Sequence, residues 1–532
     1  MSANEVLPAK ALAGSTSPAS RRTIERVGAS VMATIGRSGA AFLTTVLIAR
    51  TLGPKSFGDL TFLLGSFAAV ALLLDSGTST GFFTLASMRP RGRRFFATYG
   101  LWTFGVQLFG TLAVLALLPT KALLKAWQGQ PRAIVILAFI AAFLSTQGWN
   151  SVVQLGESQR RTFRVQLASA AQAFVHLALI VVAASASWLT VTAVLMLLIV
   201  EYCILNVIIA PPLVQMTVKR ATDDETWRGV VRDFVVYCRP VAVYSYVGFL
   251  YMFADRWLLQ RFGGAEQQGI FGFAQQFGAI SILATAAIMN VFWKEIAEAR
   301  AQENLIRLRE LYIRSRRALF FTAAFVSCLL VPWSDRLVVL AAGSSYAAGA
   351  SVLTLMLLYP VHQSLGQLQG TFLVATGDTR TYATLGLVMM IASIAAAYVL
   401  LASPAAAVPG LGLGARGLAA KLVGLQIVQV IVASVLISRK YKLPRDLLHE
   451  FSLIASLLAL SFGIRWAMDL VSARWASVTQ IAVATLVYSA ITLTAVWFHP
   501  DVVGLDQGVI REVVRRIRES VRAALHGFPS LR

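Results

Sequence analysis

Apolar residues arrive in this chain in long blocks, and fourteen such blocks can be marked along its 532 residues. They cover approximately 28–50, 57–80, 95–118, 132–154, 163–186, 190–214, 237–262, 269–293, 317–340, 347–374, 381–403, 412–437, 450–470 and 475–498. A helix of about 20 residues, rising about 1.5 Å per residue, covers the roughly 30 Å hydrocarbon core of a bilayer. Only 14% of the residues are charged and 57% are hydrophobic, whereas a soluble domain carries about 25% charge. This chain cannot clothe a globular surface with what it has. A β-barrel would show alternating segments of roughly ten residues instead. The fold class is therefore an all-α polytopic membrane protein with about fourteen transmembrane helices.

The net charge of +22 suggests nucleic acid until its distribution is read. An even number of spans puts both termini on one side. With that side cytoplasmic, the basic runs at 88–94, 159–164, 219–232, 300–317 and 439–442 and the segment after Pro500 all fall there. About 33 of the 47 Lys and Arg lie on that face and about 9 on the other, the bias expected of cytoplasmic loops. No nucleic-acid partner is needed to account for the charge. Residues 1–26 are polar and rich in Ala, Ser and Pro, and read as a mobile cytoplasmic tail and not a cleaved signal peptide. Residues 294–317 read as a charged helical extension. Residues 507–525 place Val509, Ile510, Val513, Ile517 and Val521 opposite Arg511, Arg515, Arg518 and Arg522, a basic amphipathic helix suited to an anionic leaflet. Cys203, Cys238 and Cys328 show no metal spacing and read as small core residues.

Two turns are written twice. Arg50–Gly58 (RTLGPKSFG) and Arg261–Gly269 (RFGGAEQQG) both begin on Arg, carry Gly fourth and end on Gly ninth. On the opposite membrane side, Gly156-Glu157-Ser158 with Thr162-Phe163 echoes Gly377-Asp378-Thr379 with Thr381-Tyr382. Both echoes are offset by six spans. Six is even, so the units share one orientation and are related by an axis along the membrane normal, with the solute path between them. The expected organisation is a tail (1–26), a first six-helix lobe (27–233), a second (234–440), two further helices (441–500) and the basic tail (501–532).

The run Ile48–Gly58, with Phe253–Gly264 followed by Gly269-Ile270-Phe271, resembles the oligosaccharide flippase, or polysaccharide transporter, family. That family belongs to the multidrug/oligosaccharidyl-lipid/polysaccharide exporter superfamily. The resemblance covers residues 25–440, and Glu266-Gln267-Gln268 is more polar than its second motif usually is. It implies two six-helix lobes around a central cavity and transfer of a polyprenyl-pyrophosphate-linked sugar to the outer leaflet of a bacterial inner membrane. The last two spans resemble the fourteen-helix layout of the lipid II flippase branch, where the extra pair flanks a lipid groove.

No catalytic constellation is found. There is no Walker motif and no His-Glu-x-x-His, and Gly412-Leu413-Gly414-Ala415-Arg416-Gly417 follows no strand. Charges inside spans are the functional candidates, because burying them in lipid is costly. Ser30, Thr34, Arg37 and Thr44 share one helical face, where the Arg37 guanidinium could hold a pyrophosphate through forked hydrogen bonds; the alternative is a fixed ion pair with Asp75 or Glu201. Tyr244, Tyr251 and Asp255 share a face of span seven beside Arg256, suited to sugar stacking; Asp255 could instead pair with Arg256 or Lys421. Asp75, Glu201 and His362 are candidates for coupling to Na+ or H+, each with a helix–helix hydrogen bond as the plainer role. Arg465 and Asp469, one turn apart, are expected to pair. The expected substrate-binding set is Arg37, Asp75, Tyr251, Asp255, Arg256 and Lys421, with no catalytic residue, no metal and no cofactor beyond a coupling ion. A cation-coupled multidrug exporter and a membrane polysaccharide polymerase or ligase are the competing functions. Expected partners are lipid-linked oligosaccharide, membrane lipids, a polymerase and glycosyltransferases.

Reporter fusions after Arg94, Arg164, Arg232, Arg309 and Lys442 should report cytoplasm, and fusions near Gly129 and Ala406 the outside. Reversal at either outside position would break the fourteen-span reading.

Overall fold

The computed structural model describes residues 18–219, 225–444, 446–471, 475–504 and 515, with backbone alone at 18–33 and through much of 279–294. Helices account for the architecture and no strand occurs among the described residues. In chain order they are α1 (Pro18–Asp75), α2 (Thr78–Met88), α3 (Arg93–Leu117), α4 (Thr120–Ala126), α5 (Arg132–Ser158), α6 (Thr162–Ser185) and α7 (Val191–Val218). There follow α8 (Trp227–Ala301), α9 (Leu305–Ala342), α10 (Ser344–Ala375), α11 (Thr379–Leu401), α12 (Gly414–Tyr441), α13 (Leu447–Val471) and α14 (Ser477–Phe498).

Twelve helices among the described residues are long and apolar enough to cross a membrane, where the sequence predicts fourteen separate spans. The difference lies in α1 and α8. The spanning part of α1 is 42 residues and that of α8 is 52; straight, the shorter would run about 63 Å, twice a bilayer core. Each breaks at one glycine with non-helical backbone, Gly53 (φ 71°, ψ 171°) and Gly264 (φ 78°, ψ 177°). Only glycine reaches that region without strain, so the predicted loops are corners of one residue. Two other expectations change, and a third falls outside the described residues. Residues 18–26 are helical, the start of α1, and the rest of the expected tail lies outside the described residues. The charged extension at 294–317 is interrupted at 302–304, where Glu303 turns with φ 53° and Asn304 caps α9 through Arg307 N–H. The amphipathic segment 507–525 lies outside the described residues except for Arg515.

Hydrogen bonds sort the chain into two faces. On the corner face, Arg50 donates to the Leu340 carbonyl, Tyr346 to the Ala49 carbonyl, and Gln130 to Asp59. On the basic face, Arg89 and Arg91 bond Glu225, Lys440 bonds Asp378, and Gln159 bonds Thr217. The second sequence echo holds as a turn but shifts in register. Arg161 N–H bonds Gly156 O and Arg160 N–H bonds Glu157 O; Asp378 N–H bonds Leu373 O and Gly377 N–H bonds Val374 O. The left-handed residue is thus Arg160 (φ 58°) in one turn and Gly377 (φ 80°) in the other. The matched residue is the one that closes the helix, four places after Gly156, which is a packing glycine set against Val165.

The lobes meet along a glycine seam. A methyl at Gly58 would strike the Ala265 carbonyl, and a methyl at Gly269 would strike the Pro54 carbonyl. Adding the corner spacing, 264 minus 53, converts each contact into the other, as a two-fold relation requires. The seam continues where a methyl at Gly272 would stand 3.0 Å from Thr61, at Gly65 3.0 Å from the Arg256 side chain, and at Gly248 2.8 Å from Leu72. The largest apolar core joins both lobes at this end, with Phe57, Leu63, Phe271 and Phe273 buried in it. Toward the basic face one core gathers Phe82, Phe95 and Trp149 with Val230 and Phe234 of α8, and another forms around Phe292, Tyr312 and Phe372. There α2 still meets α8, where Thr84 bonds Tyr237 at 3.2 Å and a methyl at Gly77 would stand 3.0 Å from Val241.

Helices α13 and α14 are fastened to α9 at both ends. Near the corner face, Arg465 grips Asp335 through two bonds of 2.8 and 2.9 Å and Asp469 at 3.2 Å, while Arg336 takes Asp469 at 2.6 Å. Both guanidiniums lie on the buried Trp333 ring, at 5.0 and 5.3 Å. On the basic face Arg316 bonds Glu450 at 2.6 Å and Arg317 bonds Asp446 at 3.1 Å. The expected Arg465–Asp469 pair is present, as part of this larger clasp.

Gly269→Ala should force the corner-face ends of the lobes apart, since overpacking costs about 1–3 kcal/mol. In a background freed of native cysteines, a cysteine at Gln260 should then label faster with a membrane-impermeant maleimide. Unchanged labelling would show that the glycine contact does not hold this face shut.

Candidate functional site

A charged side chain in a membrane needs a partner or water, and the second lobe supplies a partner. The first limb of α8 turns Tyr244, Tyr251 and Asp255 to one face, and α12 brings Lys421 against them. The Lys421 ammonium donates to both Asp255 oxygens at 2.5 and 2.6 Å, with the lysine side chain 0% and the aspartate side chain 11% exposed. The same ammonium sits 5.1 Å from the Tyr251 ring centre. Beside the pair is a cavity of about 220 Å³ walled by Tyr244, Tyr251, Tyr359, Lys421, Gln426 and Gln429. The structure thus brings together three sequence candidates, Tyr251, Asp255 and Lys421. Lys421 does not extend toward the bilayer surface, because both carboxylate oxygens hold it in the lobe.

Arg256 follows Asp255 and so points about 100° around the helix, into the seam. Its Nη2 donates to Gln275 at 2.7 Å, its guanidinium lies 5.4 Å from the Phe271 ring, and Gly65 of the first lobe leaves room for it. Nη1 is buried without a partner. Arg256 therefore lies at the lobe boundary, outside the Asp255–Lys421 pair.

The first lobe handles its charges differently. Asp75 Oδ1 accepts from Ser79 N–H, the hydroxyls of Ser79 and Thr78, and Gln147 at 2.9 Å. It caps the start of α2 where Ser76 and Gly77 break the helix with positive φ. Glu201 accepts from Gln172 at 2.9 Å and meets His176 Nδ1 at 2.9 Å, and the Tyr202 hydroxyl donates to Gln172. Both acids considered as partners for Arg37 are thus engaged elsewhere, and the fixed ion pair is not formed. Arg37 is exposed and makes no hydrogen bond or ion pair with a described residue, though it lies within electrostatic reach of Tyr202. It sits about 24 Å along α1 from the Gly53 corner, toward the basic face. The polar stripe around it faces its own lobe in part: Thr34 bonds Gln166, Gly36 packs on Phe174, and Thr44 bonds back to Ala40 O.

His362 is not part of either group. Its ring packs edge-on to Phe320 at 6.4 Å, with Nδ1 buried and unpartnered. Sequence reasoning passed over His176, a histidine amid an apolar run and therefore visible in principle. It also passed over Tyr359, Gln426 and Gln429, which carry no local signal because two separate helices, α10 and α12, bring them to one cavity.

No family model matches the sequence, and no curated protein matches it. Solved structures do match. A lipid II flippase, MurJ, in an inward closed conformation superposes with a TM-score of 0.62 at 11% identity, covering 88% of this chain and 99% of its own. An inward-facing multidrug resistance MATE family transporter of the MOP superfamily gives 0.59 at 14% identity, over 76% of this chain and 95% of its own. A MOP superfamily transporter from Pyrococcus furiosus, described by the reverse polarity of its binding pocket, gives 0.54 at 16% identity, over 79% and 96%. The chain has the fold that these MOP superfamily transporters share, as the sequence resemblance implies.

Lys421→Met should leave Asp255 buried and alone, at a cost of about 3–5 kcal/mol. The double variant Asp255→Asn/Lys421→Met should recover most of that stability, read as the thermal unfolding of detergent-purified protein. Equal stability of single and double variants would show that the pair is not closed.

Proposed function

We propose that this protein is a flippase that moves a polyprenyl-pyrophosphate-linked oligosaccharide from the inner to the outer leaflet, for surface polysaccharide biosynthesis. The observation that carries this reading is Arg37. A guanidinium exposed within a spanning helix and without an acid partner among the described residues needs water or an anion around it. Its planar fork matches phosphate oxygens, and its charge is permanent. The Arg256 nitrogen left unpartnered at the lobe boundary is a second cation that opening of the seam would free.

The mechanism is alternating access. The lobes touch at the corner face along the glycine seam, and α2 meets the first limb of α8 nearer the basic face, so that second contact must part for cargo to enter from the basic side. Rocking about the seam would carry the pyrophosphate and sugars past the bilayer core while the polyprenyl tail stays in lipid. The basic face is assigned to the cytoplasm of a bacterial cell, with both termini there and the chain in the inner membrane. Na+ or H+ would drive the cycle. Glu201 with His176 is the proton site favoured here, because a carboxylate and an imidazole 2.9 Å apart can share or release a proton. Asp75 is engaged as a helix cap, and His362 is the remaining alternative. A polymerase and glycosyltransferases would be the partners on either side of the step.

The lipid II flippase among the structural neighbours fits this reading, and the MATE transporters fit a multidrug exporter. An exporter of cationic drugs wants an unpaired acid in its cavity. Asp255 gives both oxygens to Lys421, and Glu201 is bonded by His176 and Gln172. Cationic cargo is the weaker fit for that reason. A polymerase or ligase would need a large outer segment carrying catalytic groups; the described segments between spanning helices on the corner face are short, the longest running from Leu118 to Pro131.

Arg37→Ala should cut surface polysaccharide at least about tenfold at matched membrane levels, the loss of one charge-assisted contact. Arg37→Lys should restore only part, since an ammonium lacks the fork. Adding Asp75→Ala should not rescue Arg37→Ala. Full export by Arg37→Ala would remove this residue from the mechanism.

A further inference from the structure

We infer that the cavity of the second lobe is a subsite for one uncharged sugar ring of the cargo, an inference that rests on the flippase reading above. Its charge is the first reason. Lys421 is the one Lys, Arg, Asp or Glu in the wall, and Asp255 neutralises it through both oxygens. A closed ion pair offers nothing to a pyrophosphate or to a cationic drug. What the cavity offers is neutral: tyrosine rings, two amides and the Ser393 hydroxyl, beside the apolar Met389, Met390, Leu422 and Leu425.

The amides are the second reason. Gln426 and Gln429 are three residues apart on α12 and so lie on one face of it, and both line the cavity with Lys421. Neither makes a hydrogen bond with a described residue. Gln147 is engaged by Asp75, Gln172 by Glu201, Gln275 by Arg256 and Gln369 by Ser434, whereas Gln268 is buried in α8 with both amide atoms unpartnered; Gln426 and Gln429 differ from it in opening onto a cavity. Inside a membrane an unsatisfied amide is costly. Two of them lining a cavity call for a ligand that both donates and accepts. Each amide presents two donors and an acceptor, which is the complement of neighbouring hydroxyls on a sugar. A lipid chain would leave these groups unpaired.

Shape is the third. Tyr244, Tyr251 and Tyr359 line the cavity together with the amides, and an aromatic ring suits the C–H side of a pyranose while the amides take its hydroxyls. At about 220 Å³ the cavity is smaller than the roughly 300–1,000 Å³ of pockets for drug-sized ligands. It has room for one ring, so the rest of the glycan would lie outside it.

The test uses the full-length protein in lipid nanodiscs and two kinds of probe. One is undecaprenyl pyrophosphate; the others are the same lipid carrying a single glucose, galactose or N-acetylglucosamine. At least one sugar should tighten binding by about tenfold over the bare lipid, the worth of one or two well-placed hydrogen bonds. Gln426→Leu/Gln429→Leu should erase that gain and leave the affinity for bare lipid unchanged, which also reports that the variant is folded. If bare lipid binds and no sugar adds affinity, or if the gain survives in the double variant, the cavity holds only water and the subsite is refuted. If neither lipid binds, the flippase reading fails and takes the subsite with it.

Discussion

Everything in this structure hangs on two backbones that touch. Where the second limbs of α1 and α8 cross, Gly58 faces the Ala265 carbonyl and Gly269 faces the Pro54 carbonyl, with no room for a methyl at either place. Side chains would hold these helices apart by several ångströms. Glycine lets the lobes close directly onto each other, and the Gly53 and Gly264 corners deliver the helices to the crossing at matching angles. Small residues serve in this way because between helices in lipid the attraction is close packing, with no hydrophobic gain to add. The contact has no interlocking side chains at its centre, which suits a surface that must part and re-form.

The two lobes share a frame and divide the electrostatics. In the second, a lysine and an aspartate cancel each other and leave a neutral polar cavity. In the first, an acid meets a histidine, a second acid caps a helix, and an arginine is left without an acid. Two opposite charges buried together cost far less than either alone, as at Asp255 and Lys421; Arg37, exposed and without an acid among the described residues, and Arg256, buried against Gln275, lack such a pair. On the flippase reading proposed above, an anion at Arg37 and a neutral ring in the second lobe would be the two ends of one amphiphilic cargo. The α13–α14 pair, clasped to α9 at both faces, is built to travel with the second lobe as one body.

Much of this architecture could be read from the residues. Blocks of about 20 apolar residues dictate helices across a bilayer whatever their neighbours are, and the basic loops dictate the two faces. The repeat was legible because a one-residue corner demands glycine, which is why Gly53 and Gly264 recur at matching places. The second echo was found at the correct turn but matched four residues early, since Gly156 is a packing glycine and the closing position in that turn is filled by Arg160.

Tertiary structure alone decided which charges meet. Tyr251 and Asp255 share a helix face by spacing, but whether Asp255 pairs with Arg256 or Lys421 depends on how α12 is rotated against α8, and no local pattern encodes that rotation. Arg37 had two acids available in the sequence and bonds neither, because one is drawn off by the start of α2 and the other by His176 on α6. The cavity amides belong to the same class: Gln426 and Gln429 are ordinary polar residues in a helix until Tyr244 and Tyr359 close over them. Hydrophobic length is a property of a segment, and the sequence carries it in full. Partner choice among buried charges is a property of helix packing, and it exists only once the helices have met.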